Sequence, residues 1–171
     1  DAVTMAAPSS LAFDWETNLE GQTIQYLGDY ELLRFIAKGG MGIVYCAHQR
    51  SLGRIVAVKL IRAGQFADSN EIERFRSEAM AAGKLDHPGI VPIYEVGEHE
   101  GVPFYSMAFV EGENLATRLA NGPLDPRQAA KLVSQIAIAV HYAHSQGIIH
   151  RDIKPANILI DNQGQPRITD F

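Results

Sequence analysis

His150-Arg151-Asp152-Ile153-Lys154-Pro155-Ala156-Asn157 is the stretch on which the reading of this chain turns. It crowds a carboxylate, an ammonium and a carboxamide into one polar loop between two apolar runs, Gly147–Ile149 and Ile158–Ile160. Acid–base and cation-binding groups concentrate in loops held by such flanks, and a random connection rarely carries all three. Downstream, Asp161-Asn162-Gln163-Gly164 reads as a turn joining Ile158–Ile160 to Arg167–Thr169. A hairpin there sets Asp170 beside the same loop. Asn157 and Asp170 then offer two hard oxygens, the donor type that suits Mg²⁺ when phosphate and water supply the remainder.

Upstream of the loop, Asp125-Pro126 is a helix start, because the carboxylate can cap exposed N–H groups and proline suits the first helical position. Ala129, Leu132, Val133, Ile136, Val140 and Ala143 recur at helical spacing until Gly147, so a long helix over 126–146 is expected to bury that stripe. Farther upstream the pattern changes to short β-rich runs. Tyr30–Lys38, Gly42–Ala47 and Arg54–Ile61, separated by Gly39-Gly40 and Ser51-Leu52-Gly53, read as three antiparallel strands. Asp68, three residues before Glu71, opens a helix with inward positions Ile72, Phe75, Ala79 and Ala82, ending near Gly83. Ile90–Val96 and Phe104–Val110 bring the sheet to five strands, and the whole is an α+β chain.

Two features of the strand region bear on chemistry. The turn Lys38-Gly39-Gly40-Met41-Gly42 joins two strands, and its backbone N–H groups can approach phosphate oxygens with no Cβ in the way; taken alone, such glycines more often mark a plain hairpin turn needing positive φ. Lys59, in Val56-Ala57-Val58-Lys59, lies among apolar neighbours, a costly place for an ammonium unless it meets an anion. Glu78, read as lying on the buried side of the following helix near Phe75 and Ala79, has the matching need. A Lys59–Glu78 pair is therefore expected, although either residue alone is more often simply solvated.

The 171 residues correspond to about one domain. A composition 46% hydrophobic and 20% charged excludes disordered and collagen-like chains. The net charge of −5 disfavours nucleic acid or an anionic membrane surface as a partner, so a phosphate ligand must be held locally. Cys46, the single cysteine, cannot form an internal disulfide, and no run of about 18 apolar residues is present to span a bilayer. A cytoplasmic setting is expected, with tethering through a segment outside this chain as the alternative. Residues 1–28 mix Ala, Ser, Pro and acidic residues without periodicity and read as an extension or linker. Asp1 at one end, and Arg167-Ile168-Thr169-Asp170-Phe171 at the other, suggest an excerpt of a longer protein.

The loop quoted first matches H-R-D-x-x-x-x-N residue by residue, and the other parts of that signature set occur here in order. From about Tyr30 to Phe171 the chain resembles the eukaryotic-like protein kinases, of the Ser/Thr type widespread in bacteria. The resemblance implies a kinase-like fold, with a five-stranded small lobe over 29–110, a hinge at 108–110, and the first part of a helical large lobe over 111–171. It implies ATP and Mg²⁺, with Mn²⁺ as a substitute, and a protein substrate bearing Ser or Thr. Gly39, Gly40 and Gly42 would cover the phosphates and Val44 would cap the adenine, with Ala37, Lys38, Met41 and Ala57 also in the nucleotide site. Met107 would border the back of the adenine pocket, and Ala108 to Val110 would form the hinge. Lys59 would contact phosphates and pair with Glu78. Asp152 would orient the substrate hydroxyl and accept its proton, Lys154 would steady the γ-phosphate, and Asn157 with Asp170 would hold Mg²⁺. Arg151 resembles the arginine of kinases switched on by phosphorylation, where it pairs with the added phosphate.

Ala37 stands where the family pattern has its first glycine, harmless if extended and costly if φ must be positive. Ala108 stands where glutamate is frequent, but the hinge works through backbone groups. Asp170-Phe171 are the first two residues of D-F-G, and the elements that follow in the family lie outside this chain, so the 171 residues alone are expected to be inactive. A pseudokinase or regulatory binding module is the competing reading, and a small-molecule phosphotransferase of the wider fold a third. His141 and His144 read as surface histidines, His87 as structural, and Cys46 as a small packed hydrophobe.

Overall fold

The computed structural model describes residues 25–39, 42–61 and 69–171. The expected Asp68 cap and the turn residues Gly40 and Met41 lie outside them. The first lobe is a six-stranded antiparallel sheet in the order β1-β2-β3-β4-β6-β5, made of Gln25–Leu27 (β1), Tyr30–Gly39 (β2), Gly42–Gln49 (β3), Arg54–Ile61 (β4), Ile93–His99 (β5) and Val102–Ala108 (β6). One helix, Ser69–Ala82 (α1), packs on it. Five strands are expected from the sequence; the sixth, β1, is a three-residue edge strand inside the stretch read as linker.

Period-two alternation sorts the side chains of β4 to opposite faces. Val56, Val58 and Leu60 point into one core with Leu27, Tyr30, Ile43, Tyr45 and Phe104. Ala57 faces the other way, into a cluster with Ala79 of α1, Val91, Tyr105 and Met107. Lys59 shares the face of Ala57, and this directs its stem toward α1 and the second lobe. Tyr30 crosses the first core as a buried polar anchor: its hydroxyl meets Glu95 and Ser106 Oγ, the latter at 2.9 Å. Burial, reinforced by the Glu95 bond, pushes the Tyr30 phenol up to about 12, so it stays protonated.

Strand β5 begins at Ile93 rather than Ile90, because Ile90 and Val91 are engaged elsewhere. Ile90 bridges Ile168 in parallel, Val91 N–H donates to Ile168 O at 2.8 Å, and Ile168 N–H donates to Gly89 O at 2.8 Å. The chain leaving α1 is thus stitched to the second lobe. Hairpin β5–β6 turns through Glu100 and Gly101, both at positive φ, the twist a two-residue hairpin needs. That turn places β6 at Val102–Ala108, two residues earlier than the apolar run suggests.

The second lobe contains a small sheet of Gly112–Asn114 (β7), Ile158–Asp161 (β8) and Pro166–Ile168 (β9), with helices Leu115–Ala120 (α2) and Pro126–Ser145 (α3). The expected β8–β9 hairpin forms, with Asp161 Oδ1 accepting the N–H groups of Gln163 and Gln165 across the turn. Asp125 Oδ2 caps α3 through the N–H groups of Arg127 and Gln128, and Gly147 follows at φ +77. Ala139 and Ala143 of α3 pack on Leu85, Ile90 and Ile168. Val133 is a correction: read as part of the buried stripe, it is 63% exposed. Strand β7 and helix α2 are additions, α2 starting where Asn114 Oδ1 accepts Thr117 N–H at 2.8 Å.

Candidate active site

Between β8 and the end of α3, a loop and a single 3₁₀ turn, Pro155–Asn157, bring the quoted residues together. His150 is buried and ties the loop at two points: Nδ1 accepts Asp152 N–H at 3.3 Å, and Nε2 lies 2.9 Å from Thr169 O. Since Nδ1 accepts, Nε2 carries the proton and donates to the carbonyl. Its ring also meets Phe171, 4.6 Å between centroids. Asn157 is buried too, and its N–H donates to Lys154 O, while Thr169 N–H donates back to Asn157 O. The loop and residues 169–171 therefore form one hydrogen-bonded unit.

Within it, Asp152 Oδ2 accepts from Lys154 Nζ at 2.7 Å and from Asn157 Nδ2 at 3.2 Å, and Asn157 Nδ2 also donates to Asp152 O at 3.0 Å. The Lys154 hydrogen bond, with Asn157 contributing, holds the exposed Asp152 carboxyl below its ordinary value. Asn157 thereby spends its amide nitrogen on Asp152, and its carboxamide oxygen is the atom available to a cation. Arg151 and Asp170, flanking this unit, both sit at positive φ, +65 and +62, conformations that non-glycine residues hold only when surroundings impose them.

Asp170 is reached from the other lobe. Lys59 Nζ lies 2.7 Å from Asp170 Oδ1, and Tyr105 Oη donates to the same oxygen at 3.1 Å. Lys59 is 9% exposed, so its ammonium does meet an anion, as burial demands. The anion is not the expected one. Glu78 is exposed on α1 and accepts from Arg151 Nη1 at 3.1 Å, so the Lys59–Glu78 pair read from the sequence is replaced by Lys59–Asp170 and Arg151–Glu78. The latter is a surface pair of small energetic weight.

On either side of the glycine turn, Gly39 closes β2 and Gly42 opens β3, and the two pair with each other. Ala37 is extended and pairs with Val44, so alanine costs no backbone strain there. Gly42 is required by packing: a Cβ on it would lie 2.0 Å from Leu60 O, next to Lys59. Ala57 opposes Met107 across β4–β6, and both are buried; Met107 Sδ accepts from Thr169 Oγ1 at 3.7 Å. Ala108, Phe109 and Val110 follow at the join of the lobes, with Arg34 stacked 5.5 Å over the Phe109 ring.

A family model described as the protein kinase domain matches residues 30–171. The chain belongs to the protein kinase domain family. It is 47% identical over 145 residues to the serine/threonine-protein kinase PrkC of Bacillus subtilis, covering 84% of this chain and 22% of that one. It is 45% identical over 150 residues to the serine/threonine-protein kinase PknA of Mycobacterium tuberculosis, covering 84% and 35%. The chain thus spans between about a fifth and about a third of these curated relatives. Among solved structures, the PknI kinase domain of Mycobacterium tuberculosis superposes with a TM-score of 0.77 at 27% identity, covering 88% of this chain and 62% of that one. The fold is the kinase-like α+β fold expected, with the small-lobe sheet complete in the described residues and the large lobe in part.

His150, Thr169 and Tyr105 are tied into this hydrogen-bonded cluster, yet none of them was given a role of its own from the sequence. His150 opens the quoted motif and could have been flagged by its place. Tyr105 gave no such signal, being one aromatic in the apolar run Phe104–Val110. The bland readings also stand: His87 Nδ1 accepts Gly89 N–H, His141 and His144 are exposed, and Cys46 is buried and free.

Proposed function

We propose that the complete protein carrying this chain transfers the γ-phosphate of ATP to serine or threonine hydroxyls of protein substrates, with Mg²⁺. The observation that supports it most is the arrangement of Asp152, Lys154 and Asn157, tied through Thr169 to Asp170 and through Asp170 to Lys59.

The donor set fits Mg²⁺. Asn157 and Asp170 supply two hard oxygens, and no cluster of three or more His, Cys, Asp or Glu that could hold a metal occurs among the described residues. Such a site suits a cation that takes only a few protein oxygens and completes its shell with phosphate and water. When bound, Mg²⁺ neutralises charge on the phosphates being transferred. The protein's own groups do the positioning. Lys59 offers a buried ammonium at the site, and Lys154 another beside Asp152. Asp152, kept ionised, accepts a hydrogen bond from the incoming hydroxyl and aligns its oxygen for attack. As the hydroxyl oxygen bonds to the γ-phosphorus, the bond from that phosphorus to the bridging oxygen breaks and ADP leaves, and the O–H proton passes to the Asp152 carboxylate. Its low basicity makes orientation the larger contribution. Gly39, Gly42 and Val44 lie on the strand ends that would cover the nucleotide, and Ala108 to Val110 would face the adenine edge.

The reaction is proposed for the cytoplasm, where ATP is the donor and a free buried cysteine such as Cys46 is stable. No helix among the described residues is long and apolar enough to cross a membrane. The test is phosphotransfer by the complete protein from labelled ATP to a generic protein substrate, with residue analysis of the product. Label on Ser or Thr supports the proposal; label on an aminoglycoside panel instead, or Mg-ATP binding without turnover, contradicts it.

A further inference from the structure

We propose that Tyr105 is a positioning residue for the cation site, holding the Asp170 carboxylate in place through its hydroxyl. The inference rests on the nucleotide-site reading above and adds a residue which that reading does not contain.

Tyr105 is buried on β6, on the face turned toward α1. Three contacts fix it. Its ring stacks on Phe75 of α1 at 5.4 Å and an interplanar angle of 22°, Lys59 Nζ lies 5.9 Å over its ring centroid, and its hydroxyl reaches Asp170 Oδ1 at 3.1 Å. A phenylalanine would fill the same space and keep the stack and the cation–π contact. The hydroxyl is what the site gains from tyrosine.

Asp170 needs such a hold. Its backbone sits at φ +62, which an aspartate keeps only under external constraint. Tyr105 and Lys59 both donate to Oδ1, so Oδ2 is the oxygen left to face a cation. Should the Lys59 ammonium turn from Asp170 to a bound phosphate, Tyr105 remains as the donor on Oδ1. A carboxylate anchored at one oxygen presents the other without a rotamer search, and outer partners of this kind commonly govern metal affinity by about 10- to 100-fold.

The test uses the complete protein and its Tyr105→Phe variant, with Mn²⁺ as the probe. Mn²⁺ binding is followed by electron paramagnetic resonance in the presence of a saturating non-hydrolysable ATP analogue. Affinity for the analogue alone is measured in EDTA, and the Mg²⁺ concentration that half-activates phosphotransfer is read separately. We expect Tyr105→Phe to weaken Mn²⁺ about tenfold and raise the Mg²⁺ requirement by a similar factor, with analogue affinity in EDTA within about twofold. Phe75→Leu, which removes the stack but keeps the hydroxyl, should move Mn²⁺ affinity by less than about threefold. Unchanged Mn²⁺ affinity in Tyr105→Phe overturns the proposal and leaves the nucleotide-site reading standing. Parallel loss of Mn²⁺ and metal-free analogue binding also overturns it, by assigning Tyr105 a general structural role. Failure of the wild-type protein to bind the analogue and Mn²⁺ overturns both.

Discussion

Lys59 and Asp170, 111 residues apart in the sequence, meet at 2.7 Å and join the two lobes across the site. The partner Glu78, expected for Lys59, instead takes Arg151 on the surface. This exchange gives Lys59 and Glu78 different weights. Removing one member of a buried pair costs several kcal/mol, while exposed pairs contribute about 0–1 kcal/mol. With Asp170 a third exposed, Lys59→Met should destabilise the protein by about 1–3 kcal/mol and Glu78→Gln by less than about 0.5 kcal/mol. Urea unfolding of both variants checks this, and equal losses would contradict the pairing described.

Gly42 should tolerate no side chain. Its Cβ position lies against the backbone carbonyl of Leu60, so Gly42→Ala must push β3 from β4 beside Lys59. The expected result is a destabilisation of about 1–3 kcal/mol together with a higher KM for ATP. Ala37→Gly, at an extended position with no need of positive φ, should leave KM within about twofold. Steady-state kinetics of the two variants separates them.

Tyr30 tests the small-lobe core. Tyr30→Phe leaves the fully buried Ser106 hydroxyl without its partner, where an unpaired polar group costs about 1–3 kcal/mol, while the exposed Glu95 turns to water. Thermal unfolding should show a lower midpoint. Ser106→Ala in the same background should cost less than it does alone, because the two groups share one bond.

The reading from sequence succeeded where one residue type answers one local need. Asp125-Pro126 caps α3 as the pattern says, Gly147 ends it, and the alternation Val56-Ala57-Val58-Lys59 sends Lys59 to the site. The loop His150–Asn157 was legible because its chemistry is packed into eight consecutive residues. Glu78 was not. It follows Phe75 by three and precedes Ala79 by one, so at roughly 100° per residue it falls on the flank of the buried stripe, where periodicity does not decide exposure. Which anion meets Lys59 depends on the 89–91 linkage to Ile168, a long-range pairing without local signature. Strand β1 and helix α2, with three and six residues, are too short to show a period.

A pH prediction follows from Asp152. Its carboxyl lies below the ordinary value mainly because Lys154 donates to it, and Asn157 adds to this. A depressed carboxyl favours the folded loop at pH above its unfolded value, and that contribution is lost as pH falls through the folded one. Lys154→Met should move the Asp152 titration upward, toward 3.8, and carbon-detected NMR of the carboxyl group checks it. A titration that stays in place would show that Lys154 is not its main partner.

The central claim is that Asp152 orients and deprotonates the substrate hydroxyl while other groups hold the nucleotide. The most direct measurement is phosphotransfer and Mg-ATP affinity of the Asp152→Asn variant of the complete protein, side by side with wild type. The account predicts a fall in kcat of about 10²–10⁴-fold with ATP affinity within about threefold. Unchanged turnover in Asp152→Asn would contradict it.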